Sequence, residues 1–112
     1  MLIFHLARRD EWVAAQQTGR YGGSSQDRAD GFIHFSTAES VNKSAARHRA
    51  GERDLLLIAV ESEELKGTLR WEKARGGMLF PHLYGALPIE RVKWVKELPL
   101  GVDGSHVFPP LD

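Results

Sequence analysis

LLLIAV at residues 55–60 is the longest strongly apolar run in the chain, with Asp54 before it and Glu61 after it. Six apolar residues between charges read as a buried central strand. They are far too few to span a membrane. Upstream, GFIHFST at 31–37 gives a very short strand, FIHF at 32–35, followed by a helix from Ser36-Thr37 to about Arg49. Ser36 or Thr37 is the expected N-cap, with Glu39 placed for a capping box. Ala38, Val41, Ala45 and His48 follow the helical period, so this helix packs through small residues.

Further upstream, residues 19–31 (GRYGGSSQDRADG) are polar and turn-rich and read as a loop or lid. Residues 10–18 (DEWVAAQQT) read as a helix with an acidic first turn, stopped at Gly19. Residues 2–7 (LIFHLA) read as a first strand and not as a signal peptide. Leu2, Phe4 and Leu6 share one of its faces, and Ile3, His5 and Ala7 the other.

Downstream of the central run, residues 61–66 read as a turn or one helical turn. Residues 68–72 (TLRWE) alternate, with Leu69 and Trp71 on one face and Thr68, Arg70 and Glu72 on the other. A loop at 73–81 leads to a short strand at 82–84 that ends at Gly85. Residues 90–98 alternate as a last strand, with Val92, Trp94 and Leu98 pointing one way. Residues 99–112, rich in proline and glycine, read as an irregular tail. Helices early and strands late make an α+β pattern, not a βαβ repeat. The expectation is one domain over residues 1–112, built from two main helices and about five or six strands.

The 112 residues carry 15 basic and 15 acidic side chains and no cysteine. Zero net charge argues against a dedicated nucleic-acid binder. The missing cysteine excludes disulfides, thiolate chemistry and zinc–thiolate sites. It fits a reducing compartment, so the expected location is the cytoplasm, away from any membrane.

Chemistry concentrates in three histidine-bearing segments. His5 lies on the less apolar face of the first strand. It is either a core-edge histidine bonded to a carbonyl or an imidazole held rigidly toward a cleft. In GFIHFST, His34 sits two residues before Ser36. The hydroxyls of Ser36 and Thr37 would join the free N–H groups of a helix start, a corner suited to an anion. In FPHLYG at 80–85, His82 and Tyr84 share a face of an extended segment, and Pro81 keeps the residue before it extended. Glu72 can orient an imidazole, or pair at the surface with Arg70, Lys73 or Arg75. His5, His34, His82 and Glu72 supply nitrogen and oxygen donors for a metal, but no pair has the HExxH spacing. The basic group Arg47, His48, Arg49 and Arg53 reads as favourable charge at a helix C-terminus.

IFHLA, GFIHFST, LLLIAV, TLRWE and FPHLYG together resemble the mostly bacterial domain-of-unknown-function family 952, over roughly residues 2–98. That family is grouped with the ADP-ribosyltransferase-like fold. The resemblance implies small bent antiparallel sheets with a cleft between them. It implies NAD, or another ADP-ribose-containing ligand, as the bound molecule. On this reading His5 faces the adenosine ribose, and His34 and Ser36 stand near the nicotinamide side, with Thr37 beside them. Tyr84 offers a ring or hydroxyl to the ligand. Glu72 and His82 compete for the catalytic place usually held by a glutamate. The competing readings are a non-catalytic module for a small molecule or peptide, and a histidine–carboxylate metal protein.

Overall fold

The structure, a computed structural model, describes residues 1–112 apart from the side chain of Arg75. The chain runs β1 (Leu2–Arg8), α1 (Arg9–Thr18), β2 (Arg20–Tyr21), α2 (Ser25–Asp30), β3 (Ile33–His34), α3 (Val41–His48), β4 (Leu55–Glu61), β5 (Leu69–Lys73), β6 (Leu79–Leu83), β7 (Leu87–Pro88) and β8 (Val92–Leu98). The result is α+β, with small antiparallel sheets and three helices. Among the described residues no helix is long and apolar enough to cross a membrane.

LLLIAV is central because β4 lies between β1 and β8. It is continuously apolar because both faces of this sheet are covered. On one face Ile3, Ala7, Leu56, Ile58 and Val60 meet Trp12, Tyr21, Ile33, Phe35, Leu83 and Leu87. On the other, Phe4, Leu6, Leu55, Leu57, Ala59 and Leu98 meet Val41 and Ala45 of α3, with Phe108 and Leu111 of the C-terminal segment packed alongside. Burial of apolar side chains on both sides is the main force holding the layers together.

A second sheet, ordered β3-β6-β5, leans on the first core. The chain crosses between the sheets in four residues. Ile33 and His34 pair with β6, whereas Ser36 exchanges both backbone hydrogen bonds with Phe4 of β1 at 2.8 Å.

The structure changes several sequence-based expectations. The stretch 19–31 is not a bare loop, since it contains β2 and α2. There are therefore three helices, not two. The helix expected from Ser36-Thr37 starts later, at Val41, with Ser40 as its N-cap residue. Residues 37–40 form a turn in which Thr37 N–H donates to Ser40 Oγ at 3.0 Å. The loop expected over 73–81 is partly strand, because β6 begins at Leu79. In β8 the alternation breaks at a bulge. Ala59 faces Trp94, but Val60 faces Val92, leaving Lys93 unmatched. The extra residue flips the strand, so Val92 packs on the first core and Trp94 on the second.

Candidate functional site

The outer face of β3-β6-β5 is built by alternation. Ile33, Leu69 and Leu83 turn inward to the core, so their neighbours turn outward. His34 faces His82, which faces Arg70, making one row across three strands. Glu72 and Tyr84 flank the row.

His82 is the centre of this face. Its Nδ1–H donates to Glu72 Oε1 at 2.7 Å, and Tyr84 donates its hydroxyl to the same oxygen at 2.8 Å. Those two bonds hold the Glu72 carboxyl below its ordinary range, the one from His82 counting most. The shared bond raises Tyr84. Among the described residues no hydrogen bond reaches His82 Nε2. Phe32 stacks on His82, with ring centres 4.2 Å apart and planes 25° from parallel. Phe32 also touches His34 and Tyr84, and the Arg70 guanidinium lies over the Tyr84 ring at 5.4 Å. The pairing considered between Glu72 and Arg75 lies outside the described residues.

His34 is held by α2. Its Nδ1–H donates to Asp27 Oδ1 at 2.6 Å, and its Nε2 lies 3.1 Å from Asp30 Oδ2. Asp27 is buried and does several jobs. Its Oδ2 accepts from Ser24 N–H at 2.8 Å while Asp27 N–H donates to Ser24 Oγ, a capping box for α2. Burial works to raise its pKa. The hydrogen bond from His34, the neighbouring His5 and backbone donors outweigh that and bring it down to about 2. Gly23 makes room for this carboxylate. Its φ is 91°, and a Cβ there would stand 2.7 Å from Asp27 Cβ.

His5 lies behind this face, in the first core, and is 3% exposed. Its Nδ1–H donates to the His34 carbonyl at 2.7 Å, and Tyr21 donates its hydroxyl to Nε2, also at 2.7 Å. Burial lowers the His5 pKa, opposed by Asp27, whose Oδ2 lies 3.7 Å from Nε2. Burial raises Tyr21.

The structure thus brings His34, His82, Tyr84 and Glu72 together. It does not bring the other three candidates to them. His5 is closed inside the core. Ser36 turns toward α3, where its Oγ meets Ser44 Oγ at 2.8 Å. Thr37 Oγ1 meets Ser40 Oγ at 2.9 Å. The anion corner expected at Ser36 and Thr37 is absent for a physical reason. The helix starts at Val41, and both hydroxyls are spent on neighbouring serines. Sequence reasoning missed Asp27, Asp30 and Phe32. The pattern Ser24-x-x-Asp27 with Gly31 beyond was the available signal for α2.

Among the described residues no three histidine or carboxylate side chains are arranged to hold a metal ion. Two surface grooves lie away from the histidine row. One, of about 500 Å³, is bounded by α3 and the C-terminal segment, at Asn42, Ala46, His106 and Phe108. The other, of about 400 Å³, is lined by Glu11, Thr18, Arg20, Tyr21 and Arg28.

This combination defines a class: a small α+β domain whose second sheet carries an acid–imidazole row on its outer face. The chain belongs to the family described as protein of unknown function DUF952, which it matches over residues 6–95. The X-ray structure of protein CC0527 from Caulobacter crescentus is 44% identical to it. The likeness covers 96% of this chain and 94% of that one, with a TM-score of 0.92. The solution NMR structure of CC0527 is 45% identical over 93% of this chain and 90% of that one, with a TM-score of 0.83. No curated protein matches this chain.

Proposed function

We propose that the outer face of β3-β6-β5 binds NAD or another ADP-ribose-containing ligand and acts on it by acid–base chemistry. The observation that carries the proposal is the His82–Glu72 pair, with Nδ1–H committed to the carboxylate at 2.7 Å and Nε2 without a hydrogen-bond partner among the described residues. With Nδ1 protonated, the lone pair of the neutral ring lies on Nε2, so Nε2 is the base. Glu72 then stabilises the imidazolium that forms when Nε2 takes a proton.

The ligand half of the proposal comes from the resemblance to ADP-ribosyltransferase-like proteins. The charges on this face narrow it. Asp30 and Glu72 stand on this face beside the guanidinium of Arg70, with the buried Asp27 behind His34. Such a face suits a flat cation better than a diphosphate. The nicotinamide ring of NAD is a flat cation. In a transfer at this site, the bond between the nicotinamide nitrogen and ribose C1′ breaks, and its electron pair leaves with nicotinamide. The acceptor oxygen or nitrogen forms the new bond to C1′, and its proton passes to His82 Nε2. His34 and Tyr84 line the face. His5, Ser36 and Thr37 support it from behind and make no contact with the ligand.

The test is calorimetric titration of the full chain with NAD and with ADP-ribose, paired with chromatography for free nicotinamide. Saturable heat from NAD, with nicotinamide released by the wild type and not by His82→Ala, is expected. No heat from either compound at millimolar concentration overturns the reading. Binding without release removes the transfer step and leaves a non-catalytic binding module.

A further inference from the structure

We infer that the ring of Phe32 occupies the place on His82 that the ligand's flat group takes, so that a ligand enters by exchange with the chain's own aromatic ring. This rests on the preceding reading for the flatness of the ligand. It adds where the ring goes and what must leave first.

Phe32 lies outside the packed interior, as Trp71 and Phe80 also do. It belongs to neither hydrophobic core. Its ring lies instead on the polar row, stacked on His82 at 4.2 Å and within 4.6 Å of His34 and 5.3 Å of Tyr84. Carboxylates of Asp30 and Glu72 sit around these rings through their bonds to His34 and His82. An apolar ring in polar company, half-buried and stacked on an imidazole whose Nε2 takes no hydrogen bond from a described residue, fills the geometry a planar ligand needs.

The residue is also placed to move. It sits just outside β3, between that strand and Gly31, the left-handed C-cap of α2. Turning the Phe32 side chain about χ1 lifts the ring from His82 without disturbing either core. Its backbone N–H stays on the Asp27 carbonyl at 3.2 Å. None of the residues under the ring lines either surface groove.

The experiment uses Phe32→Ala and Phe32→Leu in the full chain. Diethyl pyrocarbonate, which acylates unprotonated imidazole nitrogen, is the probe, and peptide mass mapping reads each histidine separately. If the ring covers His82 about nine-tenths of the time, removing it speeds His82 acylation by about tenfold. His106, bonded to the Glu52 carbonyl on the other side of the molecule, is the internal standard and stays unchanged. NAD binds more tightly to Phe32→Ala than to the wild type by a similar factor. Unchanged His82 acylation in a variant with native melting overturns the inference. So does weaker NAD binding to Phe32→Ala, which would make Phe32 a ligand contact and not a stand-in. If Phe32→Ala does not fold, Phe32→Leu decides, because leucine keeps apolar volume and loses the flat ring. Acylation needs no ligand. Failure of NAD to bind any variant therefore sinks the preceding proposal, while the acylation rates still decide this one.

Discussion

His5 and His82 are almost equally hidden, at 3% and 8% exposed, and each donates Nδ1–H at 2.7 Å. They differ in what the second nitrogen meets. In the core around His5, Tyr21 closes the network by donating to Nε2. On the outer face Nε2 of His82 takes no hydrogen bond from a described residue, and the Phe32 ring is stacked on the imidazole. The comparison teaches that burial alone does not assign a histidine its work. A buried imidazole with both nitrogens paired specifies structure. One with a committed nitrogen and an uncommitted one is equipped for proton transfer.

The largest expected effect tests the closed half. His5→Ala leaves a cavity and strands the Tyr21 hydroxyl and the His34 carbonyl, and should cost about 3 kcal/mol in urea unfolding. Because burial depresses the His5 pKa below its ordinary 6.5, the unfolded chain takes up the proton first as pH falls. The wild type therefore holds this contribution above that pH and loses it below, whereas His5→Ala shows no such decline. A cost under about 1 kcal/mol would erase the distinction between the two histidines.

Next comes Tyr21→Phe, which keeps the ring and removes only the donor to Nε2. It should cost about 1–2 kcal/mol by leaving a buried acceptor unpaired. A cost near zero in the same unfolding assay would show that water replaces the hydroxyl. Asp27→Asn joins the two regions, because this carboxylate touches both. With its pKa near 2 against an ordinary 3.8, Asp27 adds stability that is complete above about pH 4 and lost as pH falls through 2. The variant should lose about 1 kcal/mol at neutral pH, the scale of a helix cap. Its acid unfolding curve should also be flatter between those values. An unchanged acid limb would mean that Asp27 has no special place.

The closed region was far more legible in the sequence than the open one, and the reason is physical. β1 and β4 carry apolar residues on both faces, and Gly19 stops α1 where expected, with a φ of 80°. Hydrophobic pattern reports burial, so it finds what is buried. The face around His82 depends on α2, whose SQDRAD has no apolar period and stands on the Ser24–Asp27 box. Phe32 read as the start of a strand, although it stacks outside both cores. Ser36 and Thr37 read as caps because three hydroxyl residues precede α3, and only packing selects Ser40. The strand pairings that bring His34 to His82 join residues far apart in sequence, which local pattern cannot show.

The smallest expected effect on stability tests the open half. Glu72 lies near the surface, and such pairs add little to folding, so Glu72→Gln should melt with the wild type. Its effect should fall on the imidazole instead. A carboxylate only accepts, so it fixes the proton of neutral His82 on Nδ1 and leaves Nε2 bare. A glutamine amide can present either oxygen or nitrogen, so that preference is lost. Long-range proton–nitrogen spectra report which nitrogen carries the proton, read at about pH 9, where an ordinary histidine is neutral. The wild type should show the Nδ1–H form of His82, and Glu72→Gln a mixture of both forms. His5, fixed by a carbonyl that also only accepts, should show Nδ1–H in both proteins. If His82 keeps one form in the variant, the ring is oriented by stacking on Phe32 and not by Glu72. The acid–base role would then lose the residue assigned to set it.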